Sequence, residues 1–258
     1  MDLLGPAVIQ EIRFDLSTRC NLRCVYCAVS LPEYIGTDMP TNMALRTVNA
    51  IAGLMRYNPP HPININGHGE TMFMREWVTI CERLLCRNIP VRITTNLSKR
   101  YSYIEIDTLA RMRTIGVSID TSDAELLRRL RRKVDVNRIV ATIVDIRAAA
   151  QRLGCPGPDF HFGCGLFDKT AVGAEDFARF IISLNVRSVY FWNLDVHDSN
   201  FPGVPPADKP TPLASLSNAD LCPRIEAIRR AIRLLEMAEV RVTVAGDFVN
   251  LLAQRVGL

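Results

Sequence analysis

No stretch of this sequence is apolar for long enough to cross a bilayer. The opening residues, Met1-Asp-Leu-Leu-Gly-Pro, lack a basic segment followed by an apolar stretch and a small-residue cleavage site, so a signal peptide is not expected. A soluble cytoplasmic protein with no membrane partner is the expectation. Charge of one sign is also scarce: the formal net charge of +4 does not identify a nucleic-acid partner. The one dense basic run, Arg128 to Lys133, has no aromatic stacking platform beside it, and it reads as the solvated end of a helix. Nucleic acid is therefore not an expected partner. No cysteine-rich stretch follows in the C-terminal part, so a domain holding further clusters is not expected.

What is present begins with 258 residues, 48% of them hydrophobic, enough for one sizeable core and too apolar for global disorder. The eight cysteines, in a reducing compartment, point to ligands and buried thiols. Three of them, Cys20, Cys24 and Cys27, stand at C-x3-C-x2-C spacing directly after the strand-like run Ile12 to Asp15. Three thiolates so close in sequence can hold three irons of a [4Fe-4S] cube and leave the fourth iron without a protein ligand. A structural zinc site needs a fourth ligand, and none follows Cys27 at a suitable distance. A c-type haem motif needs His after the last cysteine, where Ala28 stands. Disulfides would leave an odd cysteine.

The C-x3-C-x2-C pattern, with aromatic Tyr26 before its last cysteine, resembles the signature of the radical S-adenosylmethionine (SAM) superfamily. The resemblance implies that the amine and carboxylate of SAM chelate the open iron. It also implies that the reduced cluster cleaves SAM to methionine and a 5'-deoxyadenosyl radical, which takes a hydrogen atom from the substrate. One electron then has to come from an external donor such as a flavodoxin or ferredoxin.

Further along the chain, Pro62 to Asn66 alternates as a strand and runs into Gly67, His68, Gly69 and Glu70. Two glycines let backbone approach a ligand, and Glu70 offers an anionic acceptor. The segment resembles the family's Gly-Gly-Glu-Pro, whose backbone and acid bind the SAM amino group, with His68 for a glycine and Thr71 for the proline. A third strand, Val91 to Thr95, leads to Asn96, where the family often has Thr-Asn-Gly near the ribose or substrate; Leu97 replaces the glycine. A fourth, Ile115 to Ile119, is read as placing Ser118 and Asp120 on one face, suited to ribose hydroxyls. A fifth strand, Phe160 to Cys164, is followed by a loop over 165 to 170, and a sixth runs from Val186 to Trp192. The resemblance places adenine-contacting backbone after this last strand, at Asn193. Asp195, His197 and Asp198 cluster on the same loop and are the candidates for substrate contact or proton handling.

Helices are expected over 42–56, 75–87, 104–112, 134–153 and 174–184, with Cys81 and Cys86 as buried thiols of the second. A weaker metal reading joins His161, Cys164 and Cys155. Residues 199–218 read as an extended rim connection, and Cys222-Pro223 as the opening of a helix to Ala238. Cys222 at that boundary is a candidate hydrogen donor for epimerisation, with a structural role as the alternative.

Strand and helix alternate throughout, so the fold class is α/β: a partial (β/α)6 TIM-like barrel with mainly parallel strands. Residues 1–198 form the core, and 199–258 complete the same domain with a rim loop and helix-strand-helix. The expected enzyme abstracts hydrogen from a small metabolite, such as a sugar, nucleoside or amino-acid derivative, for epimerisation, isomerisation, elimination or coupling. The alternatives are a peptide-modifying enzyme, a glycyl-radical-enzyme activase and a non-catalytic iron-sulfur protein.

Overall fold

Seven short strands, each separated from the next by helix, line up in chain order as one parallel sheet curved into a half-barrel. A computed structural model of the chain describes residues 11–54, 62–194, 203–246, 248 and 250. The strands are β1 Ile12–Arg13, β2 Ile63–Asn64, β3 Val91–Thr95, β4 Thr114–Ser118, β5 Asp159–Leu166, β6 Ser188–Asn193 and β7 Arg241–Val244. Every neighbouring pair is parallel. The seventh strand is the short final one expected at Val240 to Ala245, and it pairs with β6 in the same sheet.

Period-two alternation gives the sheet two different faces. On β3, Val91, Ile93 and Thr95 are buried, whereas Arg92 and Thr94 face the other way. The apolar face is covered by helices α1 Thr41–Leu54, α2 Trp77–Leu85, α3 Tyr103–Ala110, α4 Ala124–Arg131, α5 Val136–Leu153, α6 Asp168–Val172, α7 Ala174–Ser183 and α8 Asn218–Met237. Local chemistry sets several ends: Ser102 caps α3 in a capping box with Glu105, Asp123 caps α4, and Gly154 closes α5 at φ 64°.

Two expectations need correction. The segment after β5 is not simply loop: β5 extends to Leu166, and α6 follows it. Helix α8 opens at Asn218, because the Ser217 hydroxyl accepts from the Asp220 amide, so Cys222 and Pro223 lie inside the helix. The described part of the rim connection is held in place. Asp168 and Thr211 exchange hydrogen bonds of 2.7 and 3.0 Å, and Leu213 is fully buried in a 3-10 turn. No helix among the described residues is long and apolar enough to cross a membrane.

Candidate active site

The cysteine loop lies between β1 and α1, at the carboxyl ends of the strands, where right-handed crossovers gather the ligand-carrying loops of such folds. It is held from several sides. The Val25 amide donates to the Leu130 carbonyl at 2.8 Å, the Ser30 hydroxyl to the Cys24 carbonyl at 2.7 Å, and the Leu22 amide to Cys20 Sγ at 3.4 Å. Cys24 is buried; Cys20 and Cys27 are half-buried.

Burial pushes the Cys20 thiol up and that of Cys24 up to about 12, against the pull of Arg131 on Cys24. Thiols in this setting need a cation to hold them as thiolates, and iron ligation supplies one. Among the described residues, no three His, Cys, Asp or Glu side chains converge as a single-ion site requires. A cube binds each thiolate at a different iron, so a spaced trio with an amide aimed at one sulfur is the donor set it takes. The residues present fit a [4Fe-4S] cluster.

The Gly67 to Glu70 turn packs directly against this loop. The Gly69 amide donates to the Ser17 carbonyl at 3.2 Å and the Glu70 amide to the Arg19 carbonyl at 2.7 Å. A Cβ at Gly69 would collide with the backbone of Thr18 and Arg19, and one at Gly67 with the Asp15 carboxylate. Only glycine permits this approach. His68 in the family's glycine position causes no obstruction. Its side chain is 85% exposed, with Nδ1 3.4 Å from Asp15 Oδ2.

Glu70 turns inward, accepting from the Asn96 amide and the Thr95 hydroxyl, each at 2.8 Å, and from the Met72 amide at 3.3 Å. Burial raises its pKa, and the three donors oppose that shift. The carboxylate therefore ties the turn to the end of β3. Asn96 extends the link: its amide group donates to Asn21 Oδ1 at 3.0 Å, and its oxygen accepts from the Ser98 hydroxyl at 2.6 Å. Asn21 also donates to Ser98 Oγ at 2.9 Å. Leu97, where the resembled motif has glycine, adopts φ 47°, a left-handed backbone costing a side-chain-bearing residue about 1 kcal/mol. Its complete burial offsets that strain.

Tyr26 and Asp120 meet under the loop. Tyr26 is buried edge-on to Trp192, with ring centroids 5.7 Å apart, and its hydroxyl donates to Asp120. Asp120 also accepts from Arg131 through two bonds of 2.7 and 2.9 Å and from the Gly165 amide at 3.0 Å. In place of an acceptor open to ribose, the structure has a fully buried carboxylate that braces the loop. Ser118 does not join it; it lines the concave face with Trp192. The basic run ends its helix at the surface as expected, except at Arg131. Arg128 pairs with Glu125, Arg129 with Asp208, and Arg131 is buried.

Asn193 ends β6 with its side-chain oxygen buried and without a partner. Asp195, His197 and Asp198 lie outside the described residues. Cys222 is exposed in the second turn of α8, whose packing is against α6 and α7 on the outer layer, so it is not brought to the concave face. Cys81 is buried as expected, but Cys86 caps α2 and is exposed. His161 lines the concave face, whereas Cys164 is buried and directs its thiol to the Asp120 carbonyl at 3.1 Å, so these two do not converge on a metal. The sequence reading missed Asn21, Ser98, Asp15 and Arg131. The position of Asn21 inside the cysteine motif was the one available signal.

Comparison with known proteins matches residues 15–159 to the family profile described as "Radical SAM superfamily". Two curated relatives are named GTP 3',8-cyclase. That of Caulobacter vibrioides is 29% identical over 157 residues, covering 58% of this chain and 43% of its own. That of Rhodopseudomonas palustris strain TIE-1 is 26% identical over 148 residues, 55% of this chain and 42% of its own. The matches thus span under half the length of these relatives. Among solved structures, Streptococcus suis SuiB bound to S-adenosylmethionine superposes with a TM-score of 0.64 at 16% identity, covering 92% of this chain and 50% of that one. AnSMEcpe with bound AdoMet and Cp18Cys peptide gives a TM-score of 0.64 at 16% identity, with 95% and 65% covered. Methylornithine synthase (PylB) gives 0.54 at 14%, with 93% and 72% covered. At such identities the likeness establishes the fold.

Proposed function

The chain belongs to the radical SAM superfamily, whose cofactors are a [4Fe-4S] cluster and SAM, and from that premise we propose that it is an enzyme abstracting hydrogen from a small polar metabolite. Cys20, Cys24 and Cys27 would hold the cluster, which would supply the electron for reductive cleavage of SAM. The observation that carries this reading is the hydrogen-bonded joint between the cysteine loop and the ends of β2 and β3. Asn21, Asn96 and Ser98 bond one another there, and Gly69 and Glu70 bond the backbone of Ser17 and Arg19.

The chain's own residues have three tasks in this reading. The close backbone approach at Gly69 seats the Gly67 to Glu70 turn against the cysteine loop, beside which the SAM amino and carboxylate groups would bind. Arg131, Asp120 and Tyr26 fix the loop from below, so that Cys24 and Cys27 keep their spacing. The concave sheet face receives the substrate and holds the carbon to be attacked. An external one-electron donor completes the requirement.

A small-molecule substrate is favoured over a peptide by the sequence relatives, whose name specifies a nucleotide. The solved structures bound to peptides share the fold at 16–17% identity. The test is anaerobic reconstitution followed by electron paramagnetic resonance of the reduced protein. A cluster signal that changes on adding SAM is the expected result. Absence of a cluster, or a signal indifferent to SAM, contradicts the proposal.

A further inference from the structure

The interior of a closed eight-stranded barrel is ordinarily filled by branched apolar side chains. Here the concave face forms an open basin of about 700 Å³ whose lining is mostly polar residues, with Val189, Tyr190 and Trp192 as its apolar part. That volume lies within the usual range for small-molecule sites. Strand register explains the lining. Thr94, Gly116, His161, Ser188 and Arg241 are successive partners across β3 to β7, and all face this space. One pleat toward the amino ends, Arg13, Asn64 and Arg92 are partners across β1 to β3.

The charge on this face is not balanced. Arg13 pairs with Glu11 at 3.1 Å and Arg187 with Asp159 at 3.6 Å. Among the described residues no carboxylate lies within ion-pair distance of Arg92 or Arg241. Acceptors are in excess as well: the side-chain oxygens of Asn64 and Asn66, both lining the space, are buried without partners, and Asn64 is 7% exposed. A buried acceptor left empty costs about 1–3 kcal/mol, so both call for donors from an occupant. His161 adds a polar group without adding charge, because burial first and the field of Arg92 second lower its pKa to about 4.

We propose that the substrate of this barrel is a small anionic metabolite, a phosphate ester or a carboxylate, whose negative group is held by Arg92 and Arg241 and whose hydroxyl or amino groups donate to Asn64 and Asn66. Substrate status rests on the activity proposed above; anion binding by the basin does not.

The test is calorimetric titration of the reconstituted chain with inorganic pyrophosphate and, separately, with citrate. Arg92→Gln, Arg241→Gln and the distant surface variant Arg128→Gln are compared with the parent. The parent should bind at least one of the two anions, with pyrophosphate marking a phosphate ester and citrate a carboxylate. Each basin variant should weaken binding by about tenfold or more, and Arg128→Gln should leave it unchanged. Arg92→Lys, which keeps the charge, should recover part of the loss. Binding of neither anion overturns the proposal, as does binding that the basin variants leave intact while their melting curves match the parent. Failure of the parent to cleave SAM would count against the proposed activity alone, since the titrations need no turnover.

Discussion

Arg131 and Asp120 form a buried two-point ion pair, Nε to Oδ2 at 2.7 Å and Nη2 to Oδ1 at 2.9 Å, directly beneath the cysteine loop. The pair joins α4 to the end of β4, and through the Tyr26 hydroxyl and the Gly165 amide it reaches both the loop and β5. Removing one partner strands a buried charge. Arg131→Met is therefore expected to destabilise the chain by about 3–5 kcal/mol in guanidinium denaturation, with Arg131→Lys intermediate. The double variant Arg131→Met/Asp120→Leu should recover much of the loss, since two apolar side chains leave no charge unpaired.

Acid should act through His161. Its folded pKa of about 4 lies below the unfolded value of 6.5. Between those values the unfolded chain binds a proton that the folded chain refuses, so stability rises with pH through the window and levels off above it. The parent should lose up to about 3 kcal/mol from this group between pH 6.5 and 4. His161→Gln should lack that component, as read from the difference between the two pH-stability curves.

Gly69→Ala forces a methyl against the backbone of Thr18 and Arg19. The expected cost is about 1–3 kcal/mol, together with less iron bound per chain after reconstitution, because the displaced segment leads directly into Cys20. Gly53→Ala is the contrast, since its added Cβ meets nothing within 4 Å and it lies in helix α1. It should be neutral or stabilising by about 0.5–1 kcal/mol with iron content unchanged.

Glu70→Gln replaces an acceptor-only group by one whose amide must face the Asn96 amide, the Thr95 hydroxyl or the Met72 amide. A loss of about 1–3 kcal/mol is expected in denaturation, with weaker SAM binding by titration.

The sheet was legible because the β-branched runs at β3 and β4 are bounded by caps and turns that act locally. The cysteine loop and the Gly67 to Glu70 turn were legible for a similar reason: spacing within a few residues carries their chemistry. Asp120 was misread because alternation was extended past Ser118, where β4 ends and period two stops governing direction. Arg131 was hidden because its partner lies eleven residues away on another element, while its neighbours Arg128 and Arg129 are surface residues with surface partners. Helix α6 has five residues, too few for an apolar period to stand out from loop.

The central claim is that Cys20, Cys24 and Cys27 hold the cluster that cleaves SAM, and its most direct test is the amount of 5'-deoxyadenosine formed by the anaerobically reconstituted, reduced chain. The account predicts 5'-deoxyadenosine from the parent and from Cys81→Ala, whose thiol is buried under the sheet, and none from the triple Cys20, Cys24 and Cys27 alanine variant. No product from the parent, or equal product from the triple variant, would contradict it.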